Sequence, residues 1–189
     1  MQPASFKIPI NKLSPAFIKN MKEKYGEAEL QITVNRNPDF IPLTEETFWS
    51  IIDLLDWKKK EDADILAAAI QKLATLPIAH IYSFEDLLSE KLYQLDQQVF
   101  AENIGDTAYQ KGKFFSVDSF LYMRACVVAN GETTFKYILE NPEAMPKGIT
   151  FEPLLTLATK AYHKKTGREF DYAPAYNYET FANKKGWKK

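Results

Sequence analysis

Phe84, Leu88, Leu92, Leu95 and Val99 recur at intervals of four, four, three and four residues. An α-helix turns once every 3.6 residues, so this spacing lays all five side chains along one stripe. Such a stripe has to be covered, and the rest of the sequence supplies further helical patterns to cover it. Thr44 is placed to cap a helix carrying Phe48, Trp49, Ile51, Ile52, Leu55 and Trp57, apolar on much of its circumference and therefore central. Ile65, Leu66, Ala69, Ile70 and Leu73 form the next pattern, stopped by Pro77. Ser116 is a good N-cap for a helix holding Val117, Phe120, Leu121, Val127 and Val128, closed by Asn130-Gly131. A short helix over Phe135–Leu139 ends at Asn141-Pro142, and the last clear pattern runs from Phe151 to Lys165. About half or more of the chain is expected to be helical, above the usual third or so.

The first 40 residues differ. Phe6 to Ile10 alternates apolar and polar residues as a short strand, with Pro9 favouring an edge position. Ser14-Pro15 opens a helix that Gly26 closes. Leu30, Ile32 and Val34 then alternate with Gln31 and Thr33 as a second strand. The expected class is therefore mainly α (α+β): a strand-helix-strand unit over residues 1–40, a helical domain over 41–165, and an aromatic, basic tail over 166–189. Two strands and one helix cannot bury a core alone, so the unit must pack on the main domain or on a second copy of the chain, as a homodimer.

Composition limits the function classes. Twenty-four Lys and Arg against 25 Asp and Glu leave a net charge of -1, so no overall field draws the chain to nucleic acid or an anionic membrane. Lys184, Lys185, Lys188 and Lys189 read as a solvated basic end. The aromatics from Phe170 to Trp187 read as packed rings on an extended tail, because no basic residues interleave them before Lys184, as a base-stacking platform would have. The N-terminus lacks a secretory pattern, and no run approaches about 18 apolar residues, so a cytoplasmic protein is expected.

Few residues could carry chemistry. The two histidines, His80 and His163, sit on different helical patterns, and the single Cys126 lies mid-helix between Ala125 and Val127. No metal-ligand spacing, nucleophile motif or phosphate loop occurs, and only seven glycines are present. No cofactor and no metal are expected, and no catalytic residue can be assigned. The acidic pairs Glu45-Glu46, Glu61-Asp62 and Glu85-Asp86 lie in helix first turns or breaks, where acids suit the helix dipole.

Arg124 is the unusual charge. It follows Phe120 by four residues and Val117 by seven, which puts it on the apolar face of its helix. A guanidinium there needs a partner, since an unpaired buried charge costs several kcal/mol. Asp53, four residues after Trp49, is the first candidate and Asp96 the second. Two readings stand: a structural ion pair, or a polar cleft around Arg124, Trp49 and Tyr93 that binds an anionic or polar ligand.

Several blocks together carry a resemblance. Thr47-Phe48-Trp49-Ser50-Ile51-Ile52-Asp53 is similar to the opening helix of a bacterial family called domain of unknown function 4240. Leu76-Pro77 with Phe84 and Tyr93 resembles its second block. Ser116 to Phe120 with Arg124 and Asn130-Gly131 resembles its third, and Tyr137 to Pro142 with Ala161-Tyr162 through Glu169 its end. The resemblance covers roughly Thr44 to Phe170. It departs at Val117-Asp118, where the family usually has two acids, and at Cys126, where it often has tryptophan. The family name implies no activity. The residues favour a non-enzymatic interaction or regulatory module with an unidentified protein partner; the alternative is an enzyme or ligand-binding protein using the Arg124 cleft.

Overall fold

A computed structural model describes residues 14–26 and 41–187. The chain divides into two compact units, residues 1–40 and 41–189. In the first, α1 (Pro15–Tyr25) begins as the sequence predicts: Ser14 Oγ accepts the Phe17 N–H at 3.1 Å, and the helix closes on Gly26 at φ +61°. The strands expected at Phe6–Ile10 and Leu30–Val34 lie outside the described residues.

The second unit is helical: α2 (Glu45–Ile52), α3 (Asp62–Thr75), α4 (Ile78–Gln94), a single turn α5 (Gln98–Ala101), α6 (Val117–Ala129), α7 (Gly131–Glu140) and α8 (Leu157–Thr166). Helices make up 59% of the described residues, which places the protein in the mainly helical class. α3 packs along α8, and α4 packs on both α8 and α6. α6 is the central element, buried at every residue from Phe120 to Ala129 except Tyr122. The predicted stripe of α4 faces this core through Phe84, Leu88, Leu92 and Leu95.

Three elements differ from the sequence reading. α2 stops at Ile52, so Leu55 and Trp57 follow in a turn. There the Asp56 carboxylate accepts the Lys58 N–H at 3.1 Å, a local bond that competes with helix continuation. The α4 stripe ends before Val99, which is exposed on α5. The chain leaves the helix at Asp96, and Gln97 is extended. The last predicted helix splits into a 3₁₀ turn over Glu152–Thr156 and α8, with Pro153 in the turn and unable to donate.

After α8, Gly167 takes a left-handed conformation (φ +67°) and its N–H bonds His163 O at 2.7 Å. A left-handed glycine is a common helix stop. The chain from Arg168 to Trp187 forms no helix and lies as a strap along α4 and the start of α6.

Candidate functional site

The floor under the strap is built by α4 and α6. On α4, Tyr82, Asp86, Ser89 and Tyr93, followed by Asp96, recur at intervals of four, three, four and three. This spacing makes a second helical stripe, polar and offset from the apolar one. Every member touches the strap. Tyr82 stacks on Tyr172 with ring centroids 4.5 Å apart. Asp86 accepts the Tyr172 hydroxyl and the Ala175 N–H, both at 2.8 Å. Ser89 Oγ accepts the Tyr176 N–H at 3.3 Å. The Tyr93 ring lies 5.3 Å from that of Tyr176, and its carbonyl accepts Asn183 Nδ2 at 3.1 Å.

Asp96 makes the densest contact. Fully buried, it accepts the Phe181 N–H at 3.0 Å, the Asn183 N–H at 2.8 Å and the Trp187 indole N–H at 3.0 Å. Bonds to an ionised acceptor are roughly twice as strong as neutral ones. Phe181 is held at φ +74°, unusual for a residue with a side chain. Such a conformation persists where the surroundings over-determine it. Here the carboxylate grips amides on both sides of Ala182, while the Phe181 ring packs 4.4 Å from Trp187.

Arg124 reaches this place from α6 and is 0% exposed. Its Nη1 donates to Leu92 O and Tyr178 O, each at 2.9 Å; Nη2 donates to Thr180 Oγ1 at 2.9 Å, and that hydroxyl donates on to Val117 O at 2.8 Å. Leu92 O is one of the last-turn carbonyls of α4, so the cation also sits favourably at a helix C-terminus. The guanidinium lies 4.8 Å over the Phe120 ring, and among the described residues Nε has no hydrogen-bond partner. Burial pulls the guanidinium down to about 10, against the opposing pull of Asp96 and Glu179, so it stays charged at neutral pH.

The pairing expected from the sequence is corrected on both counts. Asp53 does not meet Arg124. It follows the last residue of α2, exposed, with Oδ1 3.1 Å from where a Cβ on Gly131 would lie. α2 ends one residue earlier, so the helical phase that put Asp53 on the apolar stripe does not reach it. Asp96 acts on Arg124 through its field without forming an ion pair, because its oxygens are occupied by the strap's donors. Val117, expected beside Arg124, is 39% exposed at the helix start, while Phe120 and Val128 are buried.

The candidate residues thus fall into two places. Arg124, Asp96 and Tyr93 belong to the strap's floor. Trp49 and Asp53 instead line an open hollow of about 520 Å³ with Glu45, Glu46, Ser50, Glu132 and Lys136. There Trp49 Nε1 donates to Glu45 Oε1 at 3.4 Å, and Lys91 bonds the same carboxylate at 2.6 Å. The lysine beside it holds the Glu45 carboxyl below its usual range.

Next to Asp86, Glu85 is buried, its Oε2 without a hydrogen-bond partner among the described residues, and burial followed by the Asp86 charge pushes its carboxyl up to about 7. It lies close enough to Tyr172 and Tyr178 to help raise both phenols to about 12, burial being the larger cause in each. Cys126 is buried, and burial raises its thiol. His80 Nε2 bonds Ile41 O at 2.9 Å, and His163 Nδ1 lies 3.3 Å from Arg168 O. Among the described residues no three His, Cys, Asp or Glu side chains come together as a metal set, and no helix is long and apolar enough to cross a membrane.

Sequence reasoning missed Asp86, Ser89, Thr180 and Asn183 as site residues. The polar stripe on α4 was the available signal. The strap residues had none, because bonds spanning 54 to 91 positions leave no local spacing.

Residues 43–164 match the family described as "Protein of unknown function (DUF4240)". The match spans more than half of the chain, and the protein belongs to this family. It ends before the strap begins. No curated protein and no solved structure matches the chain.

Proposed function

We propose that this protein is a non-enzymatic interaction or regulatory module. One observation carries the reading: the buried charges at the candidate centre, Arg124 and Asp96, are engaged by the chain's own carbonyls, amides, hydroxyl and indole. Neither is presented to a small substrate. Under this reading the protein works in the cytoplasm of a bacterium, with residues 1–40 as a strand-helix-strand contact unit that serves a homodimer or a protein partner. Residues 41–165 are the helical domain and 166–189 its tail.

The test is cross-linking of the full chain in its native cell, followed by rebuilding any complex from purified components. The expected outcome is a defined protein complex that reforms in solution. Substrate turnover, or saturable binding of a small molecule that Arg124→Lys or Asp53→Asn abolishes, would replace the reading with an enzyme or ligand-binding protein.

A further inference from the structure

We infer that the face formed by α4 and α6 is a recognition groove for an extended polypeptide segment, and that the strap is the ligand it holds in cis. The inference rests on the interaction-module reading and gives that module a surface and a partner chemistry. The fitting segment carries the strap's own pattern: a tyrosine, a Thr-Phe pair two residues on, an asparagine two further, then Gly-Trp, as in Tyr178, Thr180-Phe181, Asn183 and Gly186-Trp187.

Three observations support this. Among the described residues the buried hydrophobic members of the core run from Leu43 to Ala161, all outside the strap, which adds half-buried rings packed against them and the polar Asn183. The residues matching the family likewise stop at 164.

The floor is also chemically suited to being opened. Ser89, Asp96 and Arg124 are fully buried beneath the strap and Tyr82, Asp86 and Tyr93 are half-buried; such polar groups are a poor choice for permanent burial, since well-packed apolar residues often serve stability as well or better. Water can solvate the same groups when the strap leaves.

The mode of contact is that of peptide recognition, in which main-chain bonds give affinity and side-chain sites give selectivity. Asp86, Ser89, Asp96 and Arg124 together bind the main chain of Ala175, Tyr176, Tyr178, Phe181 and Asn183. Selectivity comes from Thr180 on Arg124, Trp187 on Asp96 and the narrow seat of Gly186. A Cβ at Gly186 would overlap the Gln97 side chain, 2.8 Å from its Cβ and 3.1 Å from Asp96 O, while Gly186 O accepts the Gln98 N–H at 2.9 Å. Left-handed Gly167, with exposed Arg168 and Glu169 after it, supplies the joint on which the strap can leave.

The test uses the full chain and a fluorescent peptide of residues 168–189. In the wild type the strap competes at an effective concentration on the order of millimolar, so the peptide should bind weakly. The strap variant Gly186→Ala/Trp187→Ala leaves the groove intact and should bind the peptide at least about tenfold more tightly. Adding Asp96→Asn to that variant, or Gly186→Ala to the peptide, should reverse the gain. The inference is overturned if the peptide binds neither chain or if a scrambled peptide binds as well. It also fails if the strap variant loses its helical dichroism, since the strap would then be an inseparable part of the fold. Each of those results leaves the module free to bind through another surface, which the cross-linking test reads independently.

Discussion

Arg124 and Lys91 are both drawn inside, yet the two regions that hold them differ. Arg124, at 0% exposure, is sealed beneath the strap and bonds neutral carbonyls and a hydroxyl from far along the chain. Lys91, at 5%, meets the half-exposed Glu45 at the rim of an open hollow, with its Nζ 5.8 Å from the Phe135 ring. Water reaches one side of the second arrangement and none of the first. A charge in a sealed region depends wholly on its tertiary partners, whereas a charge at a rim keeps solvent as a substitute. The same amount of burial therefore carries different energetic weight.

The largest effect should come from the sealed region. Arg124→Ala leaves Leu92 O and Tyr178 O without their donor and should destabilise the protein by roughly 3–5 kcal/mol in denaturant melts. Asp96→Ala strands three donors of the strap and should cost about 2–4 kcal/mol. Both act by holding the strap, so the double variant should cost less than the sum. Full additivity would break the picture of one shared clamp.

Glu85 tests the same face by pH. Its carboxyl sits at about 7 in the fold against an ordinary value of 4.5, so the fold favours the protonated form. The stability this confers is fully present below pH 4.5 and is lost as pH rises through about 7. A gap of that size corresponds to on the order of 3 kcal/mol. Glu85→Gln should therefore match the wild type near pH 4 and exceed it by roughly 1–3 kcal/mol at pH 8. Equal stability at both pH values would show that water reaches Oε2.

The open region should respond less. Glu45→Gln removes the partner of Lys91, but hydration at the rim should hold the loss to about 1 kcal/mol or below. A loss near that of Arg124→Ala would erase the contrast between the two regions. Asp53→Asn should change stability by less than about 0.5 kcal/mol, as at an ordinary surface position. A larger loss would mean that Asp53 supports the start of α7 beside Gly131.

The periodicity of the α4 stripe, the Ser14, Thr44 and Ser116 caps and the Asn130-Gly131 boundary were legible because each rests on neighbours within a turn of helix. The burial of Arg124 was legible for the same reason: Phe120 and Val128, four residues to either side, share its face. Its partner was not, because an acid's distance from a guanidinium depends on how helices pack and end.

The sequence by itself determined the helical class, the core stripe of α4 and the presence of one cation on an apolar helix face, since helical phase and chain neighbours set these. Only the tertiary structure decided what that cation touches. Tyr178 O, Thr180 and the amides held by Asp96 reach the α4–α6 face because Gly167 turns the chain back after α8 and Phe181 takes a left-handed bend. Hydrogen bonds between groups more than 50 positions apart leave no spacing in the sequence. They follow from where packed elements bring the chain, and the chain's order alone does not contain that.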